Sequence, residues 1–395
     1  MMHLFINSLA ARAGGGLTYI RNLIPHLAAT PGLRVTAALE PGLAQEFRDF
    51  TNLAFLELRV SSARRFWCEQ SALPGLIRDC RADVLLSTGN FALRNSPVPQ
   101  ILLSRNSLYT SADSYRDLRS RREYGAWLGT RLRAFMAKRS IHWADATVAP
   151  SEAFAAELQR WTGCRIQAIH HGFDHEAFTR NSRPLNAEVE AKLRSAEDSL
   201  KLLFVSHYNY YRNFETLIRS LPFLRDRLTG RSVKLLLTCK LAAGQNPGAY
   251  RPEPAAKLVK ELGVGDMVAE LGTIPYSQLH HLYRRADVYV TAAYAETFAH
   301  PLVEAMDSGL PVVASDLPVH REICGEAALY FPRFSPQELA ARIVEVVSTT
   351  GLAARLSATG AVRSAAFSWR KHADELLSLA GSLAARTEPA SERPR

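Results

Sequence analysis

Short apolar runs alternate with amphipathic stretches along most of the chain and form two successive series. The short runs predict strands, and the amphipathic stretches predict helices. The predicted strands are 3–8, 34–38, 83–87, 100–104, 146–149 and 165–170, followed by 200–205, 233–238, 267–271, 288–291 and 311–314. The predicted helices begin near Gly16, Trp67, Tyr115 and Ser151, and then near Asn213, Pro254, Ser277 and Pro301. This alternation predicts an α/β protein with parallel sheets that are covered on both faces.

A polar stretch at residues 179–199 separates the two series. It predicts a linker at 181–198 between two Rossmann-like domains, one of residues 1–180 and one of residues 199–365. Ligands of such sheets bind at the carboxyl ends of the strands, so two facing sheets predict an active site in the cleft between them. The polar, proline-containing residues 386–395 predict a disordered tail.

The composition narrows the class of protein. The chain has 395 residues, 47% of them hydrophobic, which is enough for two hydrophobic cores. No apolar run approaches the ~18 to 20 residues of a membrane span, and the start of the chain is too polar for a secretory signal. The five cysteines are scattered and form no C-x-x-C pair. We therefore expect neither a disulfide framework nor a zinc site, and we expect a cytoplasmic location.

The net charge of +10 favours an anionic partner. Cations crowd one predicted helix at residues 116–139, with aromatic and aliphatic residues between them and only Asp117 and Glu123 against them. A basic helix of this kind is typical of peripheral contact with an anionic membrane. The alternative is a core helix whose solvated face is turned outward. No nucleic-acid motif accompanies the basic patch, so nucleic acid is not an expected partner.

The segment at residues 296–304 carries two carboxylates, Glu296 and Glu304, on either side of a short turn. A helix is predicted to begin at His300 or Pro301, since proline suits the first helical position. The free N–H groups of that helix would face the turn and form an anion site. An anion site flanked by two acids suits a nucleotide sugar, with Glu304 accepting from the ribose and Glu296 from the sugar. The alternative is an ordinary helix–turn–strand with two solvated glutamates.

The same segment resembles glycosyltransferase family 4, a retaining family of the group 1 type whose members usually read E-G-F-G-x-P-x-x-E-A-M-x-x-G-x-P-V-V. The matching residues are Glu296, Phe298, Pro301, Glu304, Ala305, Met306, Gly309, Pro311, Val312 and Val313. Thr297 and Ala299 replace the two usual glycines, which makes this backbone less permissive. The resemblance implies that Phe298, Ala299, His300 and Pro301 contribute to donor binding.

Further segments extend the resemblance over nearly the whole chain. HHGFDHEAF at residues 170–178 is similar to the interdomain segment of the family, and FSWRKHADELL at 367–377 is similar to its final crossing helix. The resemblance implies the GT-B fold, two Rossmann-like domains with parallel sheets that face each other across a cleft. It also implies that a helix at about 366–385 completes the N-terminal acceptor domain, while residues 199–365 form the donor domain.

A basic pair follows the predicted strand at residues 200–205. The family usually carries an arginine and then a lysine there, and this chain has His207 and Arg212, followed by Asn213. No D-x-D metal motif occurs, so cationic side chains and a helix N-terminus are expected to stabilise the leaving diphosphate without a metal or other cofactor. Arg212 can bind it in a bidentate manner, and His207 as a cation or a neutral donor. The alternative is that both residues cap a surface helix.

Two loops carry weaker signals. Gly14, Gly15 and Gly16 follow the first strand, but Tyr19 breaks the G-x-G-x-x-G fingerprint of dinucleotide-binding proteins. The resemblance implies that Gly15 and Gly16 line the acceptor side and contact the donor phosphate; the alternative is a plain strand–helix turn. It also implies that the backbone of Thr273 and Ile274 contacts the nucleotide base.

The acceptor side of the first domain departs from the family. Many relatives carry a histidine or an aspartate after the strand at 100–104, where this chain has Arg105 and Asn106. We expect these two residues to bind sugar hydroxyls or a phosphate of the acceptor. The family's front-face reaction needs no strong enzyme nucleophile, because the leaving phosphate takes the acceptor proton.

The combined prediction is a retaining hexosyltransferase with Glu296, Arg212 and His207 as its catalytic residues. It would move a mannose- or glucose-like sugar from a UDP- or GDP-linked donor to a glycan hydroxyl. The acceptor would be a glycan or a lipid-linked glycan in cell-surface polysaccharide or lipopolysaccharide synthesis. The reaction would take place at the inner face of the cytoplasmic membrane. Two alternatives stay open: a sugar-nucleotide-binding protein without transferase activity, and a two-domain Rossmann oxidoreductase.

Overall fold

The computed structural model describes residues 2–12, 14–50, 52–180, 183–246, 248 and 250–387. The chain divides into two compact units. The first unit comprises Met1–Thr110, Arg122–Gly172 and Ser368–Arg395, and the second comprises Ser111–Arg121 and Phe173–Phe367. The chain therefore passes between the units four times. No described helix is both long enough and apolar enough to cross a membrane.

Parallel strands form one sheet in each unit. In the first unit they are β1 (Met2–Asn7), β2 (Leu33–Leu39), β3 (Leu53–Glu57), β4 (Val84–Ser87), β5 (Gln100–Leu103), β6 (Ala146–Ala149) and β7 (Gln167–Ala168), in the order β3-β2-β1-β4-β5-β6-β7. In the second unit they are β8 (Leu200–Phe204), β9 (Val233–Leu237), β10 (Val268–Glu270), β11 (Val288–Thr291), β12 (Val312–Ser315) and β13 (Ala328–Phe331), in the order β10-β9-β8-β11-β12-β13. Both orders reverse once, as in a Rossmann sheet.

Helices connect the strands, as right-handed parallel crossovers require. Those of the first half of the chain are α1 (Gly15–Ala28), α2 (Pro41–Ala44), α3 (Ser62–Ser71), α4 (Leu73–Asp79), α5 (Ala112–Ser120), α6 (Tyr124–Trp143), α7 (Glu152–Thr162), α8 (His175–Thr179) and α9 (Ala187–Arg194). Those that follow are α10 (Phe214–Arg227), α11 (Glu253–Glu261), α12 (Leu279–Tyr283), α13 (His300–Asp307), α14 (Pro318–Cys324), α15 (Pro336–Ser348), α16 (Leu352–Ser364) and α17 (Trp369–Thr387).

The core of the first unit shows how the ends of the chain meet. Strands β1 and β2 bury Leu4, Ile6 and Val35 completely, and the apolar faces of α1 and α17 cover them. Tyr19 of α1 donates its hydroxyl hydrogen bond to Nε2 of His372 on α17 at 2.9 Å. The final helix therefore belongs to the first unit, although residues 173–367 of the second unit separate it from the rest.

The structure differs from the sequence prediction at the basic helix of residues 116–139. Two helices occupy this stretch, α5 and α6, and they are separated at Arg122, which adopts a left-handed φ of 60°. Helix α5 belongs to the second unit and α6 to the first. The break follows from pairing, because Asp113, Asp117 and Arg121 form ion pairs with residues of the second unit or along α5 itself.

Much of the predicted linker is part of a folded unit. Residues 183–198 lie within the second unit, where α9 buries Val189 and Leu193. These two apolar residues, four apart, give α9 an inward face that the polar composition of the stretch concealed. Of the predicted tail, Arg386 and Thr387 end α17, and residues 388–395 lie outside the described part of the chain.

Candidate functional site

The candidate site of the second unit lies at the carboxyl edge of its sheet, where the strand order reverses between β8 and β11. Ligands of open parallel sheets bind at such a switch point, because the loops after its two strands diverge and leave a crevice. The loop after β8 carries His207 and Arg212, and the loop after β11 carries Glu296. The topology therefore brings the three predicted catalytic residues to one edge of the sheet.

Arg212 ends a single 3-10 turn between β8 and α10. The side-chain oxygen of Asn209 caps this turn by accepting from the Arg212 backbone N–H at 3.2 Å. Asn213 follows with a left-handed φ of 55°, a conformation that asparagine tolerates better than most residues. Its side-chain amide donates to the backbone oxygen of Ala292 at 3.0 Å, which fastens the turn to the loop after β11.

Arg212 and Glu296 form an ion pair. The Arg212 side chain is 19% exposed and that of Glu296 is 11% exposed, so both charges are largely removed from water. Burial alone would lower the pKa of Arg212, but the adjacent Glu296 carboxylate outweighs it and raises that pKa. Glu296 also accepts from the backbone N–H of Thr297 at 3.1 Å. The pair thus holds a permanent cation at the switch point.

Helix α13 begins directly after this pair. Its N-cap residue is Ala299, which adopts a left-handed φ of 65° where the family usually has glycine. Pro301 lies in the first turn, and the ring of His300 lies 4.8 Å from that of the fully buried Phe298. Within the first turn, the Leu302 N–H donates to the backbone oxygen of Ala299 at 2.9 Å, and the helix dipole gives this end of α13 a partial positive charge.

Glu304 lies one turn into α13 and is 4% exposed. Burial raises the pKa of this carboxyl group to about 7, and the hydrogen bond from Tyr283 partly opposes the rise. The Tyr283 hydroxyl donates to Oε2 of Glu304 at 2.7 Å. Sequence reasoning missed Tyr283, because an isolated tyrosine in a short helix carries no signal of such a partner. The bond leaves the other carboxylate oxygen for a ligand.

The remaining predicted residues of the second unit have simpler surroundings. Partial burial of its ring lowers the pKa of His207, which favours the neutral imidazole. Thr273 is exposed and Ile274 is buried, and both follow Gly272, which turns the chain after β10 with a φ of 80°. The side chain of Tyr289 on β11 interacts electrostatically with Arg212, Glu296 and Glu304.

A separate cluster lies at the carboxyl edge of the first sheet. The guanidinium group of Arg105 packs against the glycine turn at the start of α1, where a Cβ on Gly16 would lie 2.7 Å from its Nη2 and one on Gly15 would lie 3.9 Å from its Nη1. Arg105 Nε donates to the backbone oxygen of Thr88 at 3.1 Å, and the guanidinium lies 5.7 Å from the centre of the Tyr19 ring. Burial lowers the pKa of Arg105 to about 10.

Asn106 has a structural role beside this cluster. Its side-chain oxygen accepts from the backbone N–H of Leu108 at 3.1 Å and so caps the short turn at Ser107–Tyr109. A second side-chain hydrogen bond joins Asn106 to Tyr109. Of the two predicted acceptor residues, Arg105 therefore has the stronger binding group.

Two family models match the chain, one for each half. The model described as Glycosyltransferase Family 4 matches residues 13–177, and the model described as Glycosyl transferases group 1 matches residues 186–363. A curated relative from Thermobifida fusca (strain YX), D-inositol 3-phosphate glycosyltransferase, is 29% identical over 248 residues, which are 59% of this chain and 54% of the relative. The chain thus spans about half the length of the curated relatives it matches.

Solved structures match nearly the whole chain. Sucrose-phosphate synthase from Thermosynechococcus elongatus superposes with a TM-score of 0.76 at 21% identity, covering 98% of this chain and 100% of that one. Anabaena Alr3699/HepE in complex with UDP-glucose superposes with a TM-score of 0.72 at 16% identity, covering 97% and 100%. At these identities the likeness concerns the fold, and the GT-B class predicted from the sequence is confirmed.

Proposed function

Because the chain belongs to the group 1, family 4 glycosyl transferases, we propose that it is a retaining glycosyltransferase that uses a nucleotide diphosphate sugar. The observation that carries the proposal is the buried Arg212–Glu296 pair beside the N-terminus of α13. A cation and a helix N-terminus at one edge of the sheet provide the charge that a leaving diphosphate requires.

In the proposed reaction the acceptor hydroxyl attacks the anomeric carbon on the face that the diphosphate leaves. The bond from the acceptor oxygen to carbon forms as the bond from carbon to the phosphate oxygen breaks, and the acceptor proton passes to the departing phosphate. Arg212 and the positive N-terminal end of the α13 dipole stabilise the negative charge on that phosphate. His207 donates a further hydrogen bond as a neutral imidazole. No step requires a metal ion.

The two glutamates bind the neutral ends of the donor. Glu296 accepts from hydroxyls of the sugar, and Glu304 accepts from the ribose while Tyr283 holds its other oxygen. Phe298 and Pro301 fix the turn between them, and the backbone at Thr273 and Ile274 contacts the base. Donor binding requires Arg212 to exchange part of its contact with Glu296 for the diphosphate. The donor is UDP- or GDP-linked and carries a mannose- or glucose-like sugar.

In the first unit, Arg105, the Asn106 amide and the turn at Gly15 and Gly16 bind the acceptor or a phosphate group. A buried guanidinium beside a glycine turn suits an anionic or hydroxyl-rich ligand. We propose a glycan acceptor, lipid-linked, in the synthesis of a surface polysaccharide. The free thiols of the described cysteines fit a cytoplasmic location.

Helix α6 supports the proposal that the acceptor is anchored in a membrane. An exposed apolar face of α6 comprises Tyr124, Leu128, Leu132 and Phe135, which are 54–63% exposed. Their spacing places them on one side of the helix. The opposite side is buried through Thr130, Ala134, Ala137 and Ile141. The helix carries arginine and lysine but neither aspartate nor glutamate, so an anionic bilayer complements both its apolar face and its charge.

A panel of UDP- and GDP-sugars tests the proposed reaction, with thermal protection and hydrolysis of the donor as the two measurements. We expect one donor to protect the protein and to be hydrolysed slowly, at a rate that EDTA leaves unchanged. Protection without hydrolysis or transfer would indicate a binding protein instead. Protection by NADH alone would favour an oxidoreductase. Loss of turnover in EDTA that Mg²⁺ restores would contradict the metal-independent reaction.

Co-sedimentation with vesicles tests the membrane contact. We expect binding to vesicles that contain phosphatidylglycerol and little binding to phosphatidylcholine alone. The double variant Leu128→Ser, Phe135→Ser should weaken that binding at least about tenfold, because it removes two large apolar groups from the contact. Val362→Ser is the matched control, since Val362 is a 78% exposed apolar residue of the second unit. Equal binding by all three proteins, or self-association through α6 instead, would exclude the contact.

A further inference from the structure

Helix α5 lies in the second unit although the residues before and after it belong to the first. It presents Asp113 and Asp117 four positions apart, with Arg121 a further four positions along at its C-cap. This spacing places the three charges on one side of the helix. All three are largely buried, with side chains 11%, 20% and 19% exposed. A charged face of this kind needs buried partners.

The first partner lies in the loop after β11. The hydroxyl group of Tyr294 donates to Oδ2 of Asp117 at 2.7 Å, and Tyr294 is only 5% exposed. The backbone N–H of Tyr294 donates to the backbone oxygen of Tyr211 at 2.9 Å. Tyr294 precedes Glu296 by two residues, and Tyr211 precedes Arg212 by one. A single tyrosine therefore joins α5 to both loops that carry the candidate ion pair.

The second partner lies after β8. Arg121 forms an ion pair with Glu215 at 2.8 Å, and its guanidinium stacks 4.2 Å from the centre of the Tyr210 ring. Tyr210 begins the turn that Arg212 ends. Nε of Arg121 also donates to Oδ1 of Asp117 at 2.8 Å. The Asp117 carboxylate therefore accepts hydrogen bonds from both Arg121 and Tyr294.

A third contact fastens the next loop. Arg333, which follows β13, pairs with Asp113 at 2.6 Å. The backbone oxygen of Arg333 accepts from the side-chain amide of Asn213 at 2.7 Å, and the same amide donates to Ala292 at 3.0 Å. Helix α5 thus contacts residues that follow β8, β11 and β13, all at the carboxyl edge of the second sheet.

We propose that α5 positions the donor site, with Asp117, Tyr294 and Arg121 holding Glu296 and Arg212 in their reactive arrangement. The inference rests on the proposed function, because it assigns these positioning residues to that site. Charged, buried hydrogen bonds are individually strong. A displacement of about 1 Å at a reacting group costs on the order of 10²-fold in rate. Loosening α5 should therefore lower kcat more than it lowers donor affinity.

Tyr294→Phe tests the proposal, because it removes the hydroxyl group and keeps the ring. Tyr330→Phe is the matched control in the same unit, since the Tyr330 hydroxyl also donates a 2.7 Å hydrogen bond, to the backbone oxygen of Gly325. Both variants should lose similar stability. We expect Tyr294→Phe to lower kcat about tenfold or more with a smaller change in donor KM, and Tyr330→Phe to keep the wild-type kcat.

Hydrogen exchange gives a readout that does not depend on turnover. Backbone amides of residues 208–213 and 292–299 should exchange faster in Tyr294→Phe than in Tyr330→Phe. The double variant Tyr294→Phe, Asp117→Asn should lose little more activity than Asp117→Asn alone, because both changes remove the bond between Tyr294 and Asp117. Equal exchange and equal kcat in the two tyrosine variants would overturn the proposal. A wild-type protein that turns over no nucleotide sugar would refute the proposed function, while hydrogen exchange would still decide whether α5 orders these loops.

Discussion

Arg212 in the second unit and Arg105 in the first occupy comparable places, each at the carboxyl edge of a parallel sheet, but their surroundings differ. Arg212 is paired with Glu296, which raises its pKa. No carboxylate among the described residues pairs with Arg105, which contacts backbone oxygen, glycine and a tyrosine ring, and burial lowers its pKa to about 10.

Under the proposed function, this difference predicts two modes of anion binding. The charge of the second site is balanced before a ligand arrives, so an incoming diphosphate competes with Glu296 for Arg212. The charge of the first site is unbalanced, and a half-buried cation without a counter-charge gains most when an anion binds. We therefore expect Arg212 to act on the chemical step and Arg105 to act on binding of a ligand.

Arg212→Ala should break the second site. We expect kcat to fall by roughly 10² to 10³, because the variant removes the main cation at the leaving group. It also leaves Glu296 buried without its partner. Arg285→Ala is a suitable control, since it removes an exposed arginine that pairs with Glu190 in the same unit. Turnover near the wild-type level in Arg212→Ala would remove this residue from the leaving-group site.

Arg105→Met should sharpen the contrast. We expect the acceptor KM to rise about tenfold to a hundredfold, the worth of a hydrogen bond to a charged group, with donor hydrolysis unchanged. Gly16→Ala should act in the same direction because its Cβ displaces the guanidinium, whereas Gly75→Ala in α4, whose Cβ would meet no atom within 4 Å, serves as the control. A fall in donor hydrolysis equal to that in transfer would show that the two arginines share one role.

The pH dependence of donor affinity tests the charge of Glu304. Its pKa is raised to about 7, so the carboxyl group is mostly protonated below that pH, and only above it does a full carboxylate accept from the ribose. Affinity for the nucleotide sugar should therefore rise about tenfold per pH unit up to about 7 and then level off. Calorimetric titration measures this directly.

Glu304→Gln provides the control for that titration, because it should bind more weakly and lose the pH step. His207→Gln should keep the step, since burial lowers the pKa of His207, away from the pH at which the Glu304 step levels off. A step that survives in Glu304→Gln would assign it to another group.

The sequence predicted the parts of this molecule that depend on local pattern. Strands β8 and β11, the turn with Arg212 and the helix that begins at His300 all lie where alternation and proline placed them. Two strands were missed. β3 and β13 each lie at an edge of a sheet, and several of their residues are partly exposed. Their hydrophobic pattern is therefore weak.

The remaining differences are non-local. The break between α5 and α6 lies at Arg122, which adopts a left-handed φ. No sequence signal marks this break, because the residue is neither glycine nor asparagine. Asp117 and Tyr294 are 177 residues apart, and nothing in a single sequence pairs them. The same limit hid Tyr283 as the partner of Glu304. The charged residues can be identified from the sequence, but their partners can be identified only from the folded structure.

Ala299→Gly should give the smallest effect, and it separates strain from chemistry at the second site. Ala299 adopts a φ of 65°, which costs a residue with a Cβ about 1 kcal/mol and costs glycine almost nothing. The variant should therefore raise the free energy of unfolding by up to about 1 kcal/mol, measured by denaturant titration, with kcat near the wild-type value. Thr297→Gly, at the other position where the family has glycine, should change stability in the opposite direction, because Thr297 does not adopt a positive φ and glycine there only adds entropy to the unfolded chain. If both variants stabilise the protein, the strain is spread over the whole turn; if neither changes its stability, the left-handed conformation of Ala299 carries no cost and its difference from the family is neutral.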